Sequence, residues 1–222
     1  MKLSLYYPAK PWKVNQKWGI SDPKTYSQFG FTRHNGEDIA LGADKMIYAP
    51  FRGKIIVSGN QPNGGGIYIG FLSEDKYTFE DGVTSHVLLD FLHLDHVIGQ
   101  VNVPYKVGDL LAKADNTGFS TGPHTHIQPR RGEWNGSYFV PTDKNDANGS
   151  FDPDLYWNGK YAVDQVTTQP KPISALPEPF LKMQAAILNF QLSEGIKDFQ
   201  SSPLEKVKYG PATLKAANKY IK

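Results

Sequence analysis

Two short segments of the sequence contain residue types that bind metal ions. In RHNGEDIA, His34 and Asp38 stand four residues apart. In STGPHTHIQ, His124 and His126 stand two residues apart. Residues two apart in a β-strand point to the same face, so this second pair can present both imidazoles to one site. Gly36 and the alternating residues that follow it favour a turn leading into a strand, rather than the helix of an HExxH zinc protease.

These residue types define the class of metal. Two imidazoles and a carboxylate suit a borderline-soft divalent cation, zinc above all. Three protein ligands with an open fourth position are typical of a catalytic zinc rather than a structural one. The sequence has no cysteine, which excludes disulfides, thiolate metal sites and a cysteine nucleophile. The two segments together predict one catalytic Zn²⁺ per chain.

Length and composition exclude several other classes of protein. The 222 residues are 39% hydrophobic and 21% charged, as in ordinary globular proteins. A net charge of +2 is too small to indicate a nucleic-acid partner. No apolar run reaches the ~18 residues that cross a bilayer, so we expect no membrane span. The N-terminus, MKLSLYYPAKPW, lacks the apolar stretch of about 7–15 residues found in a secretory signal.

Short strands are the elements expected to position the histidines. Apolar or alternating stretches at 55–57, 67–71 and 87–94 are separated by turns rich in glycine and proline. This pattern predicts a mainly β fold up to about residue 165. The charged stretch 73–84 predicts a long hairpin tip or inserted loop, and the triple glycine at 64–66 predicts a hairpin loop.

The pattern changes after residue 165. Four prolines between 167 and 179 favour extended chain, so 166–179 is predicted to be a Pro-rich linker. Phe180, Met183, Ile187 and Phe190 then follow helical spacing, and a second helix is predicted from Pro211. We therefore predict a β domain at 1–165, the linker, and a small C-terminal α-helical module at 180–222. Residues 170–222 hold eight lysines and four acidic residues, a net charge of +4.

From about Gly19 to Tyr156 the chain resembles the lysostaphin-type (LytM-like) zinc endopeptidases of bacterial cell walls. HNGEDIA matches the H-x-G-x-D-I segment of that family, YAPFRGKII its Y-A-P-x-x-G-x-V segment, and FLHL its Y-x-H-L segment. STGPHTH matches S-T-G-P-H-L-H, and FDPDLY matches the closing D-P segment. The resemblance implies an antiparallel β-sheet metallopeptidase domain with a groove.

Position by position, the resemblance implies that His34, Asp38 and His126 are the zinc ligands. It implies that His93 and His124 are active-site histidines that do not bind the metal. Either of these two could act on the attacking water or stabilise the oxyanion. The implied function is a zinc-dependent endopeptidase that hydrolyses peptide bonds in peptidoglycan stem peptides or cross-bridges, so peptidoglycan peptides are the expected partner.

The sequence also departs from the family pattern. Phe91 stands where the family usually has tyrosine, and Thr125, Ile127 and Gln128 replace its usual leucine, phenylalanine and glutamate. These differences concern substrate preference more than chemistry. Glu37 adjoins the predicted ligand Asp38 but would point to the other face of a strand, where we expect it in solvent.

Alternatives concern the helical module and the origin of the chain. Residues 180–222 resemble small peptidoglycan-binding modules, most clearly in YGPATLKAANKYI. A helical pair that packs on the β domain or mediates self-association, or a virion attachment segment, would give the same pattern. We expect action at the bacterial cell wall by a phage-encoded enzyme, released at lysis or virion-associated, or by a chain whose leader has been removed. The alternative function is a non-catalytic wall-binding or structural virion protein with a peptidase-like fold.

Overall fold

A computed structural model describes residues 1–165 of the chain, and these residues form thirteen β-strands, one α-helix and three 3₁₀-helices. The strands are β1 (Leu5–Tyr7), β2 (Val14–Gln16), β3 (Glu37–Ala40), β4 (Met46–Tyr48), β5 (Gly53–Gln61), β6 (Gly66–Ser73), β7 (Tyr77–Thr78), β8 (Thr84–Val97), β9 (Pro104–Tyr105), β10 (Leu110–Ala114), β11 (His124–Trp134), β12 (Phe139–Pro141) and β13 (Trp157–Tyr161). The helices are α1 (Pro23–Tyr26) and the 3₁₀-helices Ser27–Phe29, Pro153–Leu155 and Val163–Gln165.

Eleven of the strands form one antiparallel sheet. Its main path runs β2-β3-β11-β8-β6-β5-β9, with β10 pairing with β4 and β8, β12 with β11, and β7 with β8. A separate two-stranded parallel sheet joins β1 to β13. The long strands β8 and β11 lie side by side in the middle of this path. They supply the predicted active-site histidines.

Alternation along these two strands separates the core from the groove. On β8, Val87, Leu89 and Phe91 are fully buried in the hydrophobic core. The intervening Leu88 and Asp90 line a groove on the other face of the sheet. A period of two is the signature of a strand with one face packed against the core. The second face is therefore available to bind a ligand.

The alternation breaks at His93. Ile69 of β6 pairs with Phe91 and Ile67 pairs with Leu94, so β8 has one residue more than its partner between these pairs. His93 takes up this extra residue with a left-handed backbone, φ 61°. This is a β-bulge, which re-aims a side chain at the cost of local strain. Strict alternation would place His93 on the core side with Phe91, whereas the bulge turns it into the groove.

The mainly β fold predicted from the sequence is confirmed. The predicted stretches at 55–57, 67–71 and 87–94 fall in β5, β6 and β8. The charged stretch 73–84 joins β6 to β8 and includes β7. Within the described residues, the structure has no helix that is both long enough and apolar enough to span a membrane. The predicted linker at 166–179 and the helical module at 180–222 lie outside the described residues.

Candidate metal centre

Three side chains converge on one point in the groove. Nε2 of His34, Oδ1 of Asp38 and Nδ1 of His126 form a group that could hold a metal ion. Nε2 of His34 lies 3.0 Å from Nδ1 of His126 and 3.2 Å from Oδ1 of Asp38. That oxygen lies 2.8 Å from Nδ1 of His126. The structure thus brings together the three residues predicted as ligands.

The pairing of β3 with β11 sets this geometry. Asp38 of β3 lies directly opposite His126 of β11 in the antiparallel ladder, which brings their Cβ atoms within about 5.5 Å. His34 reaches the same point from the loop before β3. A Cβ on Gly36 would lie 2.6 Å from Nε2 of His126 and would also overlap the carbonyl oxygen of Ile127. Only glycine permits this close approach of the loop to β11.

The donor set fits a zinc ion. Ligands about 2.0–2.1 Å from a tetrahedral Zn²⁺ lie roughly 3.3 Å from one another, close to the observed separations. Nδ1 of His34 donates to the carbonyl oxygen of Lys17 at 2.9 Å, so Nε2 is the nitrogen that carries the lone pair in the neutral ring. His126 presents Nδ1 to the group, while its buried Nε2 has no hydrogen-bond partner among the described residues. The carboxylate and the two imidazoles therefore offer three lone pairs to one point.

The surroundings keep these groups in the form that binds metal. Burial would raise the pKa of Asp38, but the adjacent side chains of His126 and His34 outweigh it and hold that pKa far below its ordinary value. Burial lowers the pKa of His126, although its contact with Asp38 opposes the shift. An ionised carboxylate beside neutral imidazole is the state that a divalent cation requires.

The two remaining histidines of the groove are oriented in the same way as each other. Nδ1 of His93 donates to the carbonyl oxygen of Thr117 at 2.8 Å, and Nδ1 of His124 donates to that of Gly122 at 2.8 Å. In the neutral form of each ring, Nε2 is therefore the nitrogen that carries the lone pair. The ring centroids of His93 and His124 are 4.7 Å apart, and Nε2 of His124 lies 3.5 Å from Oδ1 of Asp38. Burial lowers the pKa of His93 to about 4.

The groove around the centre has a volume of about 810 Å³. Its walls include aromatic residues, and Tyr26 stacks on the ring of His34 with centroids 5.6 Å apart. Phe29, which also lines the groove, contacts the rings of Phe31 and Phe119. Gly64 and Gly65, from the predicted hairpin loop, also line the groove. A groove lined by aromatic side chains with a few polar groups is typical of a ligand-binding site.

The expectation for Glu37 is wrong. Its side chain does point away from Asp38, but it is fully buried rather than solvated. Nε1 of Trp157 donates to Oε2 of Glu37 at 2.9 Å, whereas Oε1 has no partner among the described residues. Burial raises the pKa of Glu37 to about 8, so the carboxyl is largely protonated at neutral pH. The burial arises because residues distant in sequence cover this face of β3.

Several residues that orient the histidines gave no signal in the sequence. The carbonyl groups of Lys17, Thr117 and Gly122 hold three of the rings, and a backbone carbonyl is present at every position of any chain. Oγ of Ser120 lies 3.2 Å from Nδ1 of His124. The serine belongs to the STGPHTH segment, so this motif could have pointed to it.

Comparison of the sequence with family models matched residues 32–141 to the model of Peptidase family M23. These residues contain all five of the predicted site positions. A search of curated protein sequences found no match.

Three of the solved structures to which this chain is similar are the following. One is the catalytic domain of the antimicrobial peptidase lysostaphin from Staphylococcus simulans. It is 23% identical in sequence, the match covers 65% of this chain and 91% of that chain, and the TM-score is 0.47. A second is a zinc containing peptidase from Vibrio cholerae. It is 25% identical in sequence, the match covers 59% of this chain and 39% of that chain, and the TM-score is 0.46. A third is a mutant catalytic domain of the prophage-encoded M23 protein EnpA from Enterococcus faecalis. It is 20% identical in sequence, the match covers 61% of this chain and 94% of that chain, and the TM-score is 0.45.

The family match confirms the resemblance seen in the sequence motifs. It covers the paired segments that carry His34, Asp38 and His126, and the strands that carry His93 and His124. Residues 32–141 of the chain are thus similar to peptidase family M23.

Proposed function

We propose that the chain is a zinc-dependent endopeptidase that hydrolyses peptide bonds in the stem peptides or cross-bridges of peptidoglycan. The observation that carries this proposal is the convergence of Nε2 of His34, Oδ1 of Asp38 and Nδ1 of His126 on one point in the groove. The same groove holds two further imidazoles, each of which has Nδ1 held by a backbone carbonyl. The match of residues 32–141 to a peptidase family adds support for peptide-bond hydrolysis.

The three ligands would hold one zinc ion. When bound, zinc polarises a carbonyl group and lowers the pKa of a water molecule toward about 7. Two neutral imidazoles and one carboxylate leave a net charge of +1 at the site, which favours this chemistry. The carbonyl of Lys17 fixes the ring of His34, a hydrogen bond of the kind that commonly orients histidine ligands.

His93 and His124 would move the protons. A ring whose Nδ1–H is held by a carbonyl can accept a proton only at Nε2. After accepting it, the same Nε2–H can donate to the oxyanion of the tetrahedral intermediate or to the leaving amine. Both rings meet this requirement, and burial keeps His93 neutral at physiological pH. The groove would hold the substrate peptide extended beside them.

The second possible function is a non-catalytic wall-binding or structural virion protein with a peptidase-like fold. The aromatic groove would suit binding alone, but binding does not require an intact set of metal donors and two further free imidazoles. The complete donor set therefore favours the enzyme.

The test combines metal analysis with hydrolysis. The purified chain is expected to contain one zinc per molecule and to reduce the turbidity of purified bacterial cell walls. Mass spectrometry of the released fragments from walls of defined composition would identify the bond that is cleaved. Zinc-loaded protein that binds walls without releasing any fragment would contradict the proposed activity.

A further inference from the structure

The floor of the groove contains an ion pair that the proposed mechanism does not use. Nη2 of Arg130 on β11 donates to Oδ2 of Asp90 on β8. Both residues line the groove. The Asp90 side chain is 8% exposed, whereas that of Arg130 is 25% exposed. The pair therefore links two central strands beneath the space that a substrate would occupy, and its arginine remains open to that space.

Arg130 lies on the same face of β11 as the candidate metal centre. His124, His126, Gln128 and Arg130 all line the groove, as the alternation of a strand requires. Four residues of strand separate His126 from Arg130 by about 13 Å. An extended peptide of three to four residues covers that distance. A substrate bound at the metal centre would thus extend over the guanidinium.

Stability alone is a weak reason for a buried ion pair at this position. Removing two charges from water can cost more than their attraction returns, and apolar residues of similar volume are often as stable. Burial raises the pKa of Asp90 even though Arg130 opposes the rise. Strand β6 also leaves room for the carboxylate, because Gly70 lies opposite Asp90 and a Cβ there would be 3.0 Å from its Oδ1.

The guanidinium of Arg130 has hydrogen-bond donors that Asp90 does not use. Nη2 donates one N–H group to Asp90, and Nε is buried without a hydrogen-bond partner among the described residues, so the donors that remain for a substrate are those of the terminal nitrogens Nη1 and Nη2. Among the described residues that line the groove, Arg130 is also the only lysine or arginine. The planar guanidinium is the side chain best suited to bind a carboxylate through two parallel hydrogen bonds.

We propose that Arg130, oriented by Asp90, is the specificity-determining residue of the groove and binds a carboxylate of the substrate peptide. This inference rests on the proposed function and narrows it to stem peptides that carry a free carboxylate, in preference to neutral glycine cross-bridges. The carboxylate would belong to an acidic side chain, such as that of diaminopimelate, or to the C-terminus of the stem.

The test compares matched peptides on the zinc-loaded full chain. The ligands are a stem tetrapeptide with free carboxylates, the same peptide with those groups converted to carboxamides, and pentaglycine amide. Stopped-flow tryptophan fluorescence would separate the binding phase from hydrolysis, because Trp134 lines the groove. We expect the acid to bind at least tenfold more tightly than the carboxamide, the size of one charge-assisted hydrogen bond. Peptides amidated at one position only would show which carboxylate is bound.

Variants assign this preference to Arg130. Arg130→Gln is expected to remove it by raising KM for the acid with little change in kcat, whereas Arg130→Lys retains part of it. Asp90→Asn tests the positioning role and should reduce the preference without abolishing it. Arg52→Gln is the matched control, because Arg52 forms an exposed pair with Glu74 at 2.9 Å outside the groove. This variant should keep the affinities and the melting temperature of the wild type.

Two results would overturn the inference. One is equal affinity of the wild type for acid and carboxamide, a comparison that requires no variant to fold. The other is an unchanged preference in Arg130→Gln with a lower melting temperature, which would assign a structural role to the pair. By contrast, retained acid preference without any hydrolysis would contradict the proposed peptidase activity and would support this role of Arg130.

Discussion

The side chains of the candidate metal centre are unfavourable neighbours unless they share a cation. Nitrogen atoms of His34 and His126 lie 3.0 Å apart, and both also approach Oδ1 of Asp38. One proton can bridge only two of these three atoms, whereas a divalent cation satisfies all three lone pairs. Since only the folded chain assembles this group, zinc binding should also stabilise the fold.

Replacing one ligand should therefore remove the metal. His126→Ala is expected to lower the zinc content from one per chain to near zero and to abolish the rise in melting temperature on adding zinc. Inductively coupled plasma mass spectrometry measures the zinc content, and thermal unfolding measures the melting temperature. His86→Ala is the control, because His86 lies outside the groove. Unchanged zinc content in His126→Ala would refute the ligand assignment.

The two other histidines should affect turnover rather than metal content. His93→Ala and His124→Ala are expected to bind one zinc but to lose about 10²–10⁴-fold in kcat, the usual contribution of a positioned acid–base group. The readout is release of fragments from purified walls at saturating substrate. His96→Ala, at an exposed position beside Asp95, should keep wild-type turnover. A variant with near-normal turnover would exclude the proposed role for its residue.

Glu37 should make stability depend on pH. Its pKa is about 8 in the folded chain, against an ordinary value of 4.5. Between these values the folded state holds a proton that the unfolded state has released, so this carboxyl lowers stability as the pH rises from about 4.5 to 8. Glu37→Gln keeps the acceptor for Trp157 and should remove this loss, raising the unfolding free energy at pH 8 by roughly 1–3 kcal/mol.

Urea unfolding at pH 5 and pH 8 measures that difference. Glu133→Gln is the control, because the Glu133 carboxylate pairs with Lys76 on the surface and is half exposed. Equal gains from Glu37→Gln at the two pH values would show that Glu37 is not the titrating group.

At the scale of the elements, the close approach of the β3 loop to β11 is the feature on which the site depends. Gly36→Ala would drive a Cβ against the Ile127 carbonyl and Nε2 of His126. Because backbone cannot yield as a flexible side chain does, we expect the pairing of Asp38 with His126 to shift. Zinc affinity should fall at least tenfold, and the melting temperature should fall by several degrees.

Gly64→Ala provides the matched comparison. A Cβ at Gly64 would meet no atom closer than 3.5 Å, so zinc affinity and melting temperature should stay at wild-type values. Isothermal titration with zinc and thermal unfolding of both variants distinguish a local overlap from a general effect of replacing glycine. Wild-type zinc affinity in Gly36→Ala would contradict this account of the glycine.

The elements also show why part of the site was predictable and part was not. Local patterns predict β5, β6 and β8, because alternation and turn residues are written within a few neighbouring positions. The same rule fails at His93, where the register between β6 and β8 produces the bulge. It fails again at Glu37, whose burial depends on Trp157, 120 residues away. Both features come from tertiary pairing, which a single segment of sequence does not encode.

At the scale of the whole molecule, charge is unevenly distributed along the chain. Residues 1–169 carry 16 basic and 18 acidic side chains, whereas residues 170–222 carry eight lysines and four acidic residues. A basic segment is attracted to an anionic polymer, and attraction between exposed charges is screened over about 8 Å at physiological salt. If the proposed peptidase acts on cell walls, the predicted C-terminal module is the part whose charge favours contact with an anionic wall.

Truncation tests whether the C-terminal module contributes wall binding while the β domain alone carries out hydrolysis. A chain ending at residue 170 is expected to sediment with purified walls at least tenfold less well than the full chain. It should hydrolyse a short soluble peptide at the full-length rate. The reason is that a second contact on the same polymer raises the effective concentration of the first. Added salt should remove the part of the difference in wall binding that is caused by charge. A module that only stabilises the β domain predicts the opposite result, unchanged wall binding with a melting temperature lower by several degrees.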